Sequence, residues 1–213
     1  MQTTLIRNHS LTVEVTKKSP NMASTEHSVR PASHDDISAI NIIHKHYVQN
    51  TVITFSTEPN SDEATLSNYQ EVKSEGLPYV VATDEEGVVV GFAYCHAFRG
   101  TKPGYRHSLE LTLFVHPDRR RKGIGGLLLT RIIDVLKRPE SWIDHVENDR
   151  LTQHKPRQLL AIMAIDIEGP GEGWKLRDWY LQYGFVQRGH LKEVGWKKER
   201  WVDTLYLQLS LGD

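Results

Sequence analysis

The stretch from His107 to Lys137, HSLELTLFVHPDRRRKGIGGLLLTRIIDVLK, constrains the fold more than any other part of the chain. Leu109, Leu111, Leu113 and Val115 alternate with Ser108, Glu110, Thr112 and Phe114, the period of two of a β-strand. Pro117 ends the strand because it has no amide hydrogen for a ladder. Four cations, Arg119 to Lys122, lead into Gly123-Ile124-Gly125-Gly126. Ile124, Leu127, Leu128, Ile132, Val135 and Leu136 then fall on one helical face. The first amides of a helix lack intrahelical partners and carry the positive end of its dipole. Glycine lets a phosphate approach them, and the cations add charge. The stretch therefore predicts a bound phosphate compound. It is not a dinucleotide fingerprint, since Leu128 stands where a third glycine belongs. It is not an ATP loop either, because no Gly-Lys-Ser/Thr closes it.

At 213 residues the chain has room for one domain with a full core. Its 26 basic and 27 acidic residues leave a net charge of −1, which argues against a dedicated nucleic-acid binder. Cys95 is the only cysteine, so no intrachain disulfide forms, and a reducing, cytoplasmic setting is expected. Cys95 sits in an apolar strand run and reads as packing. No apolar run nears the ~20 residues that span a bilayer. The N-terminus lacks the compact apolar core of a secretory signal.

Residues 1–27 read as an extension, flexible or contributing an edge strand at Leu11, Val13 and Val15, before a domain over 28–213. Val29 to Ala32 reads as a first strand. Ser33 with Asp36 is an N-cap pattern for a helix running through Tyr47. On that helix His44 and Tyr47 share a face, and packing or capping explains its histidines better than a metal site. Ser61 caps a second helix that Gly76 and Pro78 stop. Tyr79–Thr83 and Val88–His96 form a hairpin around Asp84-Glu85-Glu86-Gly87. Arg138 to Arg157, with two prolines, reads as a surface insertion. A strand over Leu159–Ile165, a helix over Trp174–Tyr183 and strands over Phe185–Val194 and Trp201–Leu211 complete the chain, the last two joined at Gly195–Arg200. The order predicts an α/β fold with a mixed, mostly antiparallel central sheet flanked by helices.

Arg120-Arg121-Lys122-Gly123-Ile124-Gly125 resembles the Arg/Gln-x-x-Gly-x-Gly/Ala signature of the GNAT superfamily of acyl-CoA-dependent N-acyltransferases. The similarity extends to the phosphinothricin N-acetyltransferase branch through His46-Tyr47, Thr51-Val52, Phe55, Thr57-Glu58-Pro59, Gly91-Phe92-Ala93-Tyr94, Glu110 before Thr112-Leu113-Phe114-Val115, and Gly195-Trp196-Lys197 with Trp201 and Asp203. The resemblance covers 29–211 apart from the insertion. It implies acetyl-CoA as co-substrate and a small amino-acid-like amine, phosphinothricin-like or methionine-sulfone-like, as acceptor. It also implies a homodimer, with no metal, nucleic acid or membrane partner. The chain departs from the branch at Lys198, where a His is usual, at Tyr180, where a late-helix His is usual, and at Gly173, where an Asn is expected. Alternatives are a GNAT enzyme acting on another amine, such as a polyamine or a protein N-terminus, and a non-catalytic CoA-binding module.

Amide formation from a thioester needs a neutral amine, a polarised carbonyl and a protonated leaving thiol. Glu110, a carboxylate among leucines beside the expected acyl position, is the candidate base, and burial there would raise its pKa. Tyr180 is the candidate acid, and Trp179 beside it reads as core. The resemblance assigns CoA to Leu113, Phe114 and Val115 of the strand, and to Arg120, Arg121, Lys122, Gly123, Ile124, Gly125 and Gly126 of the turn. Arg99, Lys102 and Arg106 are candidates for an acceptor carboxylate. Phe55, Tyr94 and Tyr105 are candidates for the pocket wall.

Overall fold

The computed structural model describes residues 27–100 and 102–212; the candidate edge strand at Leu11, Val13 and Val15 lies outside them. Seven strands form one sheet: β1 (Ser28–Pro31), β2 (Tyr79–Thr83), β3 (Val89–Ala97), β4 (Ser108–Val115), β5 (Gln158–Ala164), β6 (Val186–Lys197) and β7 (Arg200–Ser210). Their order across the sheet is β1-β2-β3-β4-β5-β7-β6. Every neighbouring pair is antiparallel except β4 and β5. Helices α1 (Ile37–Asn50), α2 (Asp62–Ser74), α3 (Ile124–Lys137), α4 (Arg150–Gln153) and α5 (Trp174–Gln182) flank it. The mixed α/β architecture matches the sequence reading.

Local chemistry explains the element ends. The Asp36 carboxylate accepts from the Ser33 amide at 2.8 Å and from both terminal nitrogens of Arg30 at 2.7 Å, which fixes the entry into α1. Ser61 Oγ accepts from the Ala64 amide at 3.2 Å and caps α2. On α3, Ile124, Leu128, Leu129, Ile132, Val135 and Leu136 are buried against the sheet. Leu127 lies half-buried at the edge of that face, and Leu129 takes the buried place instead.

Two segments differ from the sequence reading. β6 and β7 run to a two-residue turn at Lys198 and Glu199, whose φ values of 51° and 57° suit a tight hairpin. Gly195 is therefore inside β6, where the Phe55 ring lies on the space a side chain would occupy. The 138–157 segment lies at the surface but is anchored. Its Leu151 is fully buried, and Arg131 of α3 lies 4.2 Å over the Trp142 ring. Arg150 donates to the Glu75 carbonyl at 3.0 Å, which ties α4 to the end of α2.

The β4–β5 pair positions the site. Their register runs only from Ser108↔Gln158 to Leu111↔Ala161; beyond it β5 continues against β7, and the two strands part. Phe98 donates its amide to Ser108 and His116 donates to Val90. In an antiparallel ladder bonding alternates, so the even residues of β4 pair with β3 and the odd ones point their amides and carbonyls towards β5. Leu109 and Leu111 meet β5 there, whereas Leu113 and Val115 open into the split without a strand partner on that side.

Candidate active site

The split leads to the basic turn. Arg121 and Gly123 have φ of 64° and 79°, a left-handed bend that turns the chain into the N-terminus of α3. A cavity of about 440 Å³ runs along Leu113, Phe114 and Val115 and over this turn, reaching Arg120, Arg121, Gly123, Ile124, Gly125 and Gly126. Arg120 is braced by its Nε donating to the Pro117 carbonyl at 2.9 Å. Arg119 also faces the cavity but is shared with Asp84, 3.5 Å away. A Cβ at Gly126 would crowd the Tyr183 hydroxyl, so that side chain would have to shift. Gly125 is different: a Cβ there would sit 3.5 Å from the Trp179 ring, in ordinary contact. This donor-rich turn at the end of an unpaired strand edge suits a long, flexible ligand with a pyrophosphate.

A second cavity of about 400 Å³ adjoins the first, sharing Ile53, Leu113, Phe114, Ala164 and Leu176 with it. Its floor is the even face of β4, where Glu110, Thr112 and Phe114 point, and Tyr94 and Phe92 of β3 continue that floor. Tyr94 stacks on Tyr79 at 4.5 Å between ring centres. His44 of α1, Phe55 of the loop before α2, Asn68 of α2 and Tyr180 of α5 form the walls. Lys197 is buried and donates to the Thr54 carbonyl at 2.7 Å, so β6 holds the loop that carries Phe55.

The electrostatics follow from burial. Desolvation pushes the Glu110 carboxyl above its ordinary range, so it holds a proton more readily than a surface carboxylate. Burial pushes the Tyr180 phenol up as well. Tyr180 packs between Trp179 and Phe185, with ring centres at 4.8 and 5.1 Å. Burial first, and the nearby Lys197 ammonium second, hold the His44 imidazole below its usual value and favour its neutral form.

The structure thus brings Glu110, Tyr180, Phe55 and Tyr94 to one cavity and the strand and turn residues to the other. Lys122 is the exception in the turn: it is exposed and lines neither cavity. Arg99, Lys102, Tyr105 and Arg106 do not line the second cavity either. The floor begins at Glu110, but these four lie past the end of β3, in an exposed loop that bends away at Arg99 and Gly100 with φ of 58° and 71°. Tyr105 packs there on Phe98, 5.4 Å between ring centres, rather than on a pocket wall.

Sequence reasoning missed several lining groups. His44 lines the second cavity and His46 does not, although both lie on α1. Tyr47, three residues on, donates its hydroxyl to the Val115 carbonyl at 2.5 Å and occupies one odd-side group of β4. Their spacing on one face was the available signal. Trp179, expected in the core, walls the first cavity beside Gly125. Asp166 and Lys175, around the loop after β5, also face that cavity, and no local pattern marks them. Among the described residues no cluster of three or more His, Cys, Asp or Glu could hold a metal ion, and no helix is long and apolar enough to cross a membrane.

Comparison with known proteins bears on the same architecture. The acetyltransferase (GNAT) family model matches residues 41–154, from α1 through α4. The phosphinothricin N-acetyltransferase of Alcaligenes faecalis is 32% identical over 188 residues, 87% of this chain and 84% of that one. An L-methionine sulfoximine/L-methionine sulfone acetyltransferase of Salmonella typhimurium is 28% identical over 87% of this chain and 95% of its own. The crystal structure of a phosphinothricin acetyltransferase from Sinorhizobium meliloti in complex with acetyl-CoA superposes with a TM-score of 0.72 at 30% identity, covering 88% of this chain and 89% of that one. The split β4–β5 edge, the glycine turn that follows it and these full-length likenesses agree: the chain belongs to the GNAT family of acetyltransferases.

Proposed function

We propose that this protein transfers the acetyl group of acetyl-CoA to the amine of a small amino-acid-like acceptor. The observation that carries the reading is the junction of the two cavities on β4. The odd residues Leu113 and Val115 offer main-chain groups to the cofactor side, while the even residue Glu110 offers a desolvated carboxylate to the acceptor side. Acetyl-CoA brings an activated thioester. Leu113, Phe114 and Val115 would hold its pantetheine arm, and Arg120, Arg121, Gly123, Ile124, Gly125 and Gly126 its pyrophosphate. Lys122, which faces solvent, contributes long-range charge only.

Glu110 takes a proton from the incoming ammonium, so that a neutral amine attacks the thioester carbonyl. The Val115 amide points into the split and can donate to the developing oxyanion. Tyr180 gives its phenolic proton to the departing thiolate. Phe55 and Tyr94 shape the acceptor cavity. No Arg or Lys side chain lines that cavity among the described residues. An acceptor with an uncharged polar side group, such as a methionine sulfone, therefore fits better than one with a second anion. We further infer a homodimer acting in the cytoplasm. The exposed Trp196 and Trp201 of the β6–β7 hairpin, 55% and 60% accessible, suit a protein contact.

The test is acetyl transfer from labelled acetyl-CoA to a panel of methionine sulfone, phosphinothricin, polyamines and short peptides. The reading expects the free amino acids to have the highest kcat/KM. Faster turnover of peptides or polyamines would contradict it.

A further inference from the structure

The reaction releases one proton per turnover, and that proton has to leave from the acceptor cavity. An ammonium brings three protons: one stays on the amide, one leaves on the CoA thiol, and one must reach solvent. If Glu110 is the base, it holds that last proton at the floor of a cavity filled by both substrates.

The sheet face around Glu110 narrows the exits. Its neighbours along β4 are Ser108 and Thr112, its partner on β5 is Leu160, and its partner on β3 is His96. Directly opposed antiparallel residues share a face, and this is a hydrogen-bonded pair, with Cα atoms about 5.5 Å apart. Of these four neighbours only His96 can take a proton near neutral pH. Burial alone accounts for the raised pKa of the Glu110 carboxyl, and the Tyr94 phenol feels its charge from the same face.

His96 is held for the purpose. Its Nε2 lies 3.3 Å from Nδ2 of Asn68, a residue of α2 that itself lines the acceptor cavity. An amide there suits both charge states: its NH₂ donates to a neutral ring, and its oxygen, after the amide turns over, accepts from a protonated one. Tyr94 packs edge-on against the ring at 4.8 Å and limits its rotation. Burial lowers the pKa of this ring, and Glu71 of α2 and Glu75 just past its end oppose that by favouring the protonated form. The ring is half-buried beside the floor residues Tyr94 and Glu110.

We propose that His96, oriented by Asn68, is a positioning residue that relays the proton from Glu110 to solvent in each catalytic cycle. The proton on the Glu110 carboxyl passes to a ring nitrogen of His96, the carboxylate is restored, and the imidazolium then loses a proton to water. No oxidant or further co-reactant is needed. The inference rests on the acetyl-transfer reading and on Glu110 as base.

The test measures CoA thiol release at neutral pH in dilute, non-nucleophilic buffer for the parent, His96→Ala and His96→Asn. The Asn variant keeps a hydrogen-bonding partner for Asn68 without a titrating group, so a matching melting curve separates chemistry from folding. The expected result is a kcat lowered about tenfold in both variants, at unchanged KM for acetyl-CoA. In His96→Ala, added imidazole should restore the rate in proportion to its concentration. In a Glu110→Gln background, removing His96 should cost nothing more. A parent-like kcat in His96→Asn, or a loss that imidazole does not restore in His96→Ala, would overturn the relay while leaving acetyl transfer intact. A parent that acetylates no amine would overturn the acetyl-transfer reading itself, and the relay with it.

Discussion

A carboxylate placed at Gly125 should separate cofactor binding from folding. A Cβ at this position meets Trp179 at 3.5 Å and Val115 Cγ2 at 3.8 Å, both ordinary contacts, and the backbone φ is not left-handed. Gly125→Asp therefore keeps the fold, whereas a change at Gly126 would run into the Tyr183 hydroxyl. The new side chain enters the cavity at the first turn of α3, where unpaired amides face the expected pyrophosphate. Two like charges about 5 Å apart at an effective dielectric of about 20 repel by about 3 kcal/mol, roughly a hundredfold in Kd. The repulsion should weaken with added salt, because the cavity is open to solvent. Titration calorimetry with CoA is the assay, with the melting temperature as control. Unchanged CoA affinity in a folded Gly125→Asp variant would refute the placement of the cofactor at this turn.

Three further outcomes follow from the geometry. Tyr180→Phe keeps the packing between Trp179 and Phe185 but removes the hydroxyl, so steady-state kinetics should show a kcat lower by about 10²-fold with no recovery at high pH. A substitution of Gly195 by Val displaces the Phe55 ring, so KM for the amine should rise while CoA affinity holds, as initial-rate kinetics and calorimetry would show. Asp203 has its pKa lowered to about 2, first by the Lys192 ammonium 2.8 Å away and also by the Glu193 amide and His190. Because its folded pKa is depressed, its contribution is complete above about pH 4 and is lost as pH falls towards 2. Melting curves of Asp203→Asn should therefore lie below those of the parent at pH 5 and converge with them near pH 2.

Much of this fold was legible because short-range chemistry and long-range packing agree. The alternation from Ser108 to Val115 gave β4 and both of its faces. The glycines after Arg121 gave the turn, and Ser33, Ser61, Gly76 and Gly184 gave helix ends. Glu110 stood out as a carboxylate inside a leucine pattern, and the structure places it on the floor of the acceptor cavity. What failed was loop direction. Arg99, Lys102 and Tyr105 are near Glu110 in sequence, but the chain leaves β3 with two left-handed residues and carries them away from the cavity. Nothing in FRGTKPGYR encodes that heading. Residues from distant segments were equally hidden. Lys175 and Asp166 reach the cofactor cavity because β5 diverges from β4, a property of two strands some 50 residues apart that no single window contains. His96 was read as strand, and its pairing with Glu110 emerges only from the β3–β4 register.

The pH–rate profile of Glu110→Gln decides whether Glu110 is the base of an acetyl transfer to an amine. Gln keeps the shape and removes the base. Burial raises the carboxyl's folded pKa, so the ionised Glu110 disfavours folding above its unfolded pKa, and the Gln variant should melt no lower than the parent at pH 7. Removing a general base typically costs about 10²–10⁴-fold. An amine with a pKa near 8 goes from about 1% to about 50% neutral between pH 6 and pH 8. The expected result is a kcat/KM deficit of at least about 10²-fold near pH 6 that narrows steadily as pH rises, with CoA affinity unchanged. A folded Glu110→Gln enzyme that keeps the parent's rate and its low-pH limb would rule Glu110 out and move the base to another group, with His44 on the cavity wall a candidate.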